Sequence, residues 1–149
     1  MARENTELTW TDVSARLAPA RSYWVATVSL TGAPHVAPVW GVVVDDVLYI
    51  YSERSTLKAR NLAVDARVAV HLESAEDVVI VHGEVEDLGA PADSSRVVAA
   101  LAQKYPDPAD AQYLPTEDPA FDVLWAIRPR RAMAWRLDDY YASQGRWRA

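Results

Sequence analysis

The sequence contains no cysteine. That excludes disulfides, thiolate metal centres and a cysteine nucleophile together, and it is compatible with a reducing interior. Glycine is scarce, with 5 in 149 residues, and neither a Gly-x-Gly-x-x-Gly nor a Gly-x-x-x-x-Gly-Lys pattern occurs, so there is no Rossmann or P-loop phosphate cradle. No Gly-x-Ser-x-Gly elbow is present either, and no serine has a histidine partner legible from its position, which leaves serine hydrolase chemistry without support. Long apolar runs are missing: none approaches the ~20 residues of a membrane helix, and no early basic segment leads into one. The expectation is an unprocessed, cytoplasmic protein. Lysine is nearly absent, Lys58 and Lys104 being the only two, so arginine carries the positive charge. The formal net charge of -6 argues against nucleic-acid binding by bulk electrostatics. Abundant arginine, alanine and valine beside a single phenylalanine, Phe121, match the codon bias of a GC-rich genome such as many actinobacteria have.

What is present is half hydrophobic by count, at 50%, enough for one substantial core and too little chain for two, so residues 1–149 read as a single domain. Thr9 caps a short helix with Asp12 at the third position and Trp10, Val13 and Leu17 on one face. From Tyr23 the period changes to two, and Trp24, Ala26, Val28 and Leu30 alternate with Tyr23, Val25, Thr27 and Ser29 until Thr31-Gly32 turns the chain. A run from His35 to Val44 reaches a tight turn at Asp45-Asp46, and Val47 to Ser52 returns, completing a three-stranded meander.

Leu57, Ala59, Leu62 and Ala63 suit a short helix capped by Ser55 or Thr56. Arg67 to Glu73 and Val78 to Leu88 read as strands, the second with a bulge at Gly83. Residues 92 to 104 form a helix, and a loop punctuated by Pro106, Pro108, Pro115 and Pro119 follows as a surface excursion. Phe121 to Ile127 and Ala132 to Leu137 read as two last strands. Many short antiparallel strands with two or three helices predict a mainly β (α+β) small barrel rather than a parallel sheet.

The stretch Ser52-Glu53-Arg54-Ser55-Thr56-Leu57-Lys58-Ala59-Arg60-Asn61 places hydroxyls and cations where a strand ends and a helix begins. Free N–H groups and the helix dipole make such a start suitable for phosphate. The competing reading stands beside it: Thr56 caps the helix while Arg54, Lys58 and Arg60 form a solvated face. His35, His71 and His82 lie on strands without the i, i+4 spacing of a zinc site, so no metal is expected, although His35 is placed to line a cleft beside Pro38-Val39-Trp40. Glu84 and Glu86 share a strand face and read as solvated. Trp24, Trp40, Trp125 and Trp135 read as packing residues, except that Pro38 can open the strand at Trp40 to a planar ring.

Taken in order, Tyr23-Trp24-Val25-Ala26-Thr27-Val28, Gly32-Ala33-Pro34-His35-Val36-Ala37-Pro38-Val39-Trp40-Gly41, Asp45-Asp46-Val47-Leu48-Tyr49-Ile50 and Thr56-Leu57-Lys58-Ala59-Arg60-Asn61-Leu62 resemble the split-β-barrel flavin and deazaflavin oxidoreductases, the pyridoxamine-5'-phosphate-oxidase-like superfamily. The likeness is greatest to its F420-dependent branch. It is good over residues 20 to 86 and looser at Arg131-Ala132-Met133-Ala134-Trp135 and Arg146-Trp147-Arg148. The resemblance implies a six- to seven-stranded antiparallel split barrel with short peripheral helices, paired as a homodimer with the cofactor in a groove between subunits.

By the same resemblance the ring lies along Ala37, Pro38, Val39 and Trp40, the phosphate lies near Ser52, Arg54, Ser55, Thr56 and Lys58, and Arg60 and Asn61 close the pocket. The arginine-rich segment ending in a Leu-Leu-Lys-type run and the Arg-x-His-type tail of true pyridoxamine-phosphate oxidases are missing at Gly41-Val42-Val43-Val44 and Gln144-Gly145-Arg146-Trp147-Arg148. Vitamin B6 oxidation is therefore not the expected activity. The expected one is hydride transfer between F420 and a small conjugated acceptor such as a quinone, an enone or a tetrapyrrole-like pigment, with FMN as the alternative cofactor. A non-catalytic carrier or sensor of flavin, haem or pigment is the third reading. No residue is assigned as proton donor.

Overall fold

The computed structural model describes residues 6–115 and 119–149. Helix α1 (Trp10–Leu17) begins where expected, because Thr9 Oγ1 accepts from the Asp12 amide at 3.1 Å and the Asp12 carboxylate accepts from the Thr9 amide at 3.3 Å. Two orphan donors of the first turn are thereby satisfied. Its inward residues Val13 and Leu17 are fully buried.

Strand β2 (Tyr23–Val28) turns through Gly32, at φ 82°, into the antiparallel strand β3 (Pro34–Val39). The run expected from His35 to Val44 is two strands. It lapses at Trp40 and resumes as β4 (Gly41–Val44), which passes through Asp45 and Asp46, both at positive φ, into β5 (Val47–Ser52). Two left-handed residues in a two-residue turn give the hairpin geometry that matches strand twist, and aspartate tolerates it better than most side chains.

Helix α2 (Leu57–Val64) has Thr56 as its cap, and β6 (Arg67–His71) pairs on one side with β2 and on the other with β7 (Asp77–Asp87). The bulge expected at Gly83 is there, as a register shift between His82 and Gly83. Helix α3 (Ser95–Lys104) and a 3₁₀ segment, Pro108–Tyr113, lead to β8 (Val123–Arg136). The two strands expected there are one: Pro129 stands opposite Gly83 at the bulge, where a missing N–H removes no regular ladder bond. A single turn of helix, α4 (Tyr140–Ser143), and strand β9 (Gly145–Arg148) close the chain, and β9 pairs in parallel with β1 (Thr6–Glu7).

The nine strands among the described residues belong to one sheet, antiparallel throughout except at β1 and β9. The count exceeds the expected six to seven because one run divides and two terminal strands add to it, while the last two expected strands fuse into β8. Strand β8 organises the topology. Along one side its residues from Trp125 to Arg136 pair with the whole of β7, while on the other Val123–Ala126 pairs with β5 and Arg131–Ala134 pairs with β9. The free edges at β3 and β4 are halves of a single run, so the sheet curls and that run spans the gap: a split half-barrel, mainly β. Tyr23, Val25, Ile50, Val70, Val79, Val81 and Ile127 fill its inside. A second cluster, Val42, Tyr51, Val97, Leu101, Tyr105, Leu114 and Leu124, packs α3 against the outer face of β4, β5 and early β8. These strands are buried on both faces, which erases the period-two pattern there. Among the described residues no helix is long and apolar enough to cross a membrane.

Candidate functional site

A cleft of about 400 Å³ opens beside the lapse at Trp40, lined by Pro38, Val39, Trp40, Tyr51, Ser52, Lys58, Tyr113 and Phe121. Three elements supply five of these residues, and Tyr113 ends the 3₁₀ segment. The end of β3 gives Pro38 and Val39, on an edge strand where a proline costs no ladder bond. The end of β5 gives Tyr51 and Ser52, and the first turn of α2 gives Lys58. Aromatic rings form most of the wall. Tyr113 meets Trp40 edge-on at 5.6 Å between centroids, Phe121 meets Tyr51 edge-on at 5.3 Å, and the Tyr51 hydroxyl donates to the Tyr113 carbonyl at 2.7 Å.

The indole of Trp40 is held from behind. Tyr105, the last residue of the α3 turn, stacks on it at 4.3 Å and 12°, and the Arg21 guanidinium carbon lies 4.8 Å from its centroid. The Tyr105 hydroxyl lies 2.7 Å from the Arg21 carbonyl and 3.1 Å from the Gly41 carbonyl, both acceptors for its proton. Lys104 Nζ donates to the same Gly41 carbonyl and to the Tyr23 hydroxyl, each at 2.8 Å. One face of Trp40 is thus committed to the protein, and it serves as a wall of the cleft.

Lys58 is the cleft's cation. It is half-buried and has no hydrogen-bond or ion-pair partner among the described residues, and burial holds its ammonium below the ordinary lysine range, with Glu53 opposing. Around it, Thr56 Oγ1 donates to the Glu53 carbonyl at 2.7 Å and accepts from the Ala59 amide at 3.4 Å. That leaves the Leu57 and Lys58 amides as the helix-start donors ahead of any intrahelical acceptor. An unpaired ammonium, free amides and an apolar aromatic slot form a donor set for a flat ring that ends in one anionic group.

The expected site residues are distributed unevenly about this cleft. Pro38, Val39, Trp40, Ser52 and Lys58 line it. Ala37 precedes them on β3. Ser55 is exposed in the turn before α2 and Thr56 acts as the cap. Arg54 forks onto Asp87 at 2.8 and 3.0 Å, and its own amide donates to Asp122 at 2.7 Å, so its guanidinium is engaged outside the cleft. Arg60 and Asn61 line a separate recess with Ser29, Leu30, Thr31 and Val64, and Asn61 is buried, donating to Thr27 Oγ1 at 3.1 Å. None of the three histidines is among the cleft's lining residues, His35 included. Glu84 and Glu86 pair with Arg130 and Arg128 on the sheet exterior.

The family model for pyridoxamine 5'-phosphate oxidase matches residues 10–136. The chain belongs to this family. Its fold is that of flavin- and deazaflavin-binding split-barrel proteins, a group that includes oxidoreductases. Among solved structures, a conserved hypothetical protein of Mycobacterium tuberculosis is 23% identical, with 92% of this chain and 90% of that one covered and a TM-score of 0.71. An F420 reductase is 25% identical over 77% of this chain and 90% of its own, with a TM-score of 0.60. A haem-binding protein of Mycobacterium smegmatis is 18% identical, with 94% of this chain and 63% of that one covered and a TM-score of 0.66. Comparison with curated proteins gives no match.

Sequence reasoning missed Tyr51, Tyr113 and Phe121 as cleft residues of this family member. Tyr113 lies in the proline-punctuated stretch that reads as a surface excursion, and Phe121 heads the expected strand Phe121 to Ile127, whereas β8 begins only at Val123. The available signal was the placement of two aromatic side chains, one of them the chain's only phenylalanine, in and just after an otherwise polar loop.

Proposed function

We propose that the cleft beside Trp40 binds the ring of a phosphate-bearing deazaflavin or flavin, F420 ahead of FMN, with its phosphate on Lys58 and the start of α2. The protein then acts as an oxidoreductase toward a small conjugated acceptor. The observation that carries this reading is Lys58, a half-buried ammonium without a partner among the described residues, at the end of an aromatic slot. Likeness to an F420 reductase at 25% identity supports F420 over FMN.

When bound, the cofactor supplies hydride transfer, which no side chain in the cleft provides. The chain's own contribution is placement and exclusion. Lys58 and the Leu57 and Lys58 amides fix the anionic end. The edge of β3 offers backbone groups to the ring's polar rim, and Trp40, Tyr51, Tyr113 and Phe121 exclude water. An equilibrium fluorescence titration tests the assignment: Lys58→Ala should weaken F420 binding at least tenfold, and unchanged affinity would sink it. A parallel titration with FMN decides between the cofactors.

The same reading includes a homodimer. In register across β2, β6, β7 and β8, the row Trp24, His71, Ile80 and Met133 is half-buried and faces away from the inner core cluster. A second copy covering this face would bury an apolar stripe of the kind found at subunit interfaces. Sedimentation of the wild type should give a dimer, and Ile80→Glu should give a monomer.

A further inference from the structure

Arg67, His82, Glu84, Arg130, Arg131 and Arg148 surround a concavity of about 570 Å³ beside the Gly83 bulge, and it shares no lining residue with the Trp40 cleft. Most arginines outside it are paired, Arg60 and Arg146 being the exceptions among the described residues. Arg16, Arg21, Arg54, Arg96, Arg128 and Arg136 each pair with a carboxylate elsewhere. Within the concavity Arg67 pairs with Asp65 and Arg130 reaches Glu84 at 3.4 Å, but Arg131 and Arg148 have no ion-pair partner among the described residues.

These two unpaired arginines stand directly opposite each other in the β8–β9 register. Like charges so placed repel, and among the described residues no carboxylate forms an ion pair with either of them. The register also runs from Arg131 to His82, whose Nδ1 is buried without a hydrogen-bond partner. Burial, and then the charge of Arg131, hold this imidazole below its ordinary range and so neutral.

We propose that the concavity binds a small polyvalent oxyanion, phosphate- or carboxylate-bearing, gripped by the guanidinium forks of Arg131 and Arg148, with Arg67 and Arg130 at its rim. Planar guanidinium groups match both anion types with paired N–H donors. A bound anion removes the repulsion between opposed arginines and the positive field on His82. The site shares no residue with the cofactor cleft and stands if the cofactor reading fails, and it borders the proposed dimer face, since His82 and Arg131 are two positions from Ile80 and Met133 on their strands.

Calorimetric titration of the wild type with pyrophosphate and with citrate, at constant ionic strength, tests the proposal. Binding of either should weaken at least tenfold in Arg131→Ala/Arg148→Ala. It should weaken less in Arg131→Lys/Arg148→Lys, which keeps charge without the fork, and should be unchanged in Arg96→Ala. The preferred anion names the source. The His82 ring protons, followed by NMR, should titrate at higher pH when the anion is bound, because the charged groups lining the concavity among the described residues are Arg67 from β6, paired with Asp65, Arg130 and Arg131 from β8, Arg148 from β9 and Glu84 from β7. F420 affinity should be the same in wild type and double variant. If the double variant fails to fold, Arg148→Ala alone carries the test. Absence of binding by both anions, equal affinity in the variants, or a changed association state with unchanged anion affinity would overturn the proposal.

Discussion

The cleft beside Trp40 and the concavity beside Gly83 lie where regular strand pairing lapses, and each lapse needs a glycine for the same reason. A Cβ at Gly41 would stand 2.4 Å from the Tyr49 carbonyl oxygen, and one at Gly83 would stand 2.2 Å from that of Arg128. Their furnishing differs. The first is walled by aromatic rings and holds one unpaired lysine, while the second has four guanidinium groups and one carboxylate. An ammonium is a compact point charge suited to the end of an otherwise apolar ligand, whereas several planar forks suit a ligand that is charged over much of its surface. Opening the sheet therefore makes room, and the side chains that face the room decide what enters.

The largest effect expected from breaking this comparison is on the backbone approach itself. Gly41→Ala and Gly83→Ala each force a carbonyl to move and should destabilise by about 3 kcal/mol, a drop of roughly 6–12 °C in thermal midpoint for a chain of this size. Gly32→Ala is the control, since Gly32 has φ 82° and a methyl added there would meet nothing within 4 Å. It should cost about 1–2 kcal/mol from the left-handed conformation alone. Equal losses at all three would mean that close approach does not shape either lapse.

Next in size is the brace behind the cleft. Tyr105→Phe keeps the stack on Trp40 but removes the hydroxyl that bridges the Arg21 and Gly41 carbonyls, at about 1–2 kcal/mol. F420 affinity should fall with it, by less than for Lys58→Ala. No corresponding change is expected in anion binding beside Gly83. A loss at both concavities would show that the brace acts on the whole sheet rather than on its own lapse.

Thr56→Ala is smaller again. It removes the cap that organises the start of α2 and should cost about 1 kcal/mol by denaturant titration.

The alternation in β2, the helix cap at Thr9 and the bulge at Gly83 were legible because each is a local pattern. What failed was local evidence of distant partners. Pro129 reads as a strand breaker until Gly83, 46 positions before it in sequence, supplies the bulge that accommodates it. Arg54 reads as a phosphate ligand, yet Asp87 takes its fork. The run through Trp40 reads as one strand because nothing in residues 35 to 44 announces that Tyr105 and Lys104, from α3, will hold the Gly41 carbonyl. The helix start beside Lys58 was legible because its cap, Thr56, lies in the same short stretch of sequence.

The smallest effect separates the two lysines. Burial pushes Lys104 down to about 8 from its ordinary 10.5, and the ammonium that donates to Tyr23 and Gly41 is closed off behind Trp40. Lys58 is lowered by the same cause, but it faces the cleft. For Lys104 the folded chain gives up its proton before the unfolded chain does, so from about pH 8 upward the unfolded state binds more protons and stability rises with pH. Below about pH 8 the burial penalty is present in full. Compared with Lys104→Met, the wild type should gain stability between about pH 8 and pH 9.5, with a slope that rises toward, but stays below, the ~1.4 kcal/mol per pH unit of one complete proton. At higher pH the buried Tyr23 hydroxyl, whose ionisation burial pushes up, brings the opposite sign, because the unfolded chain's tyrosine ionises first. Lys58→Met should show the corresponding slope only without ligand, since an anion on Lys58 favours the charged ammonium. If ligand changes the slope at Lys104 instead, the two lysines have been assigned to the wrong sides of Trp40.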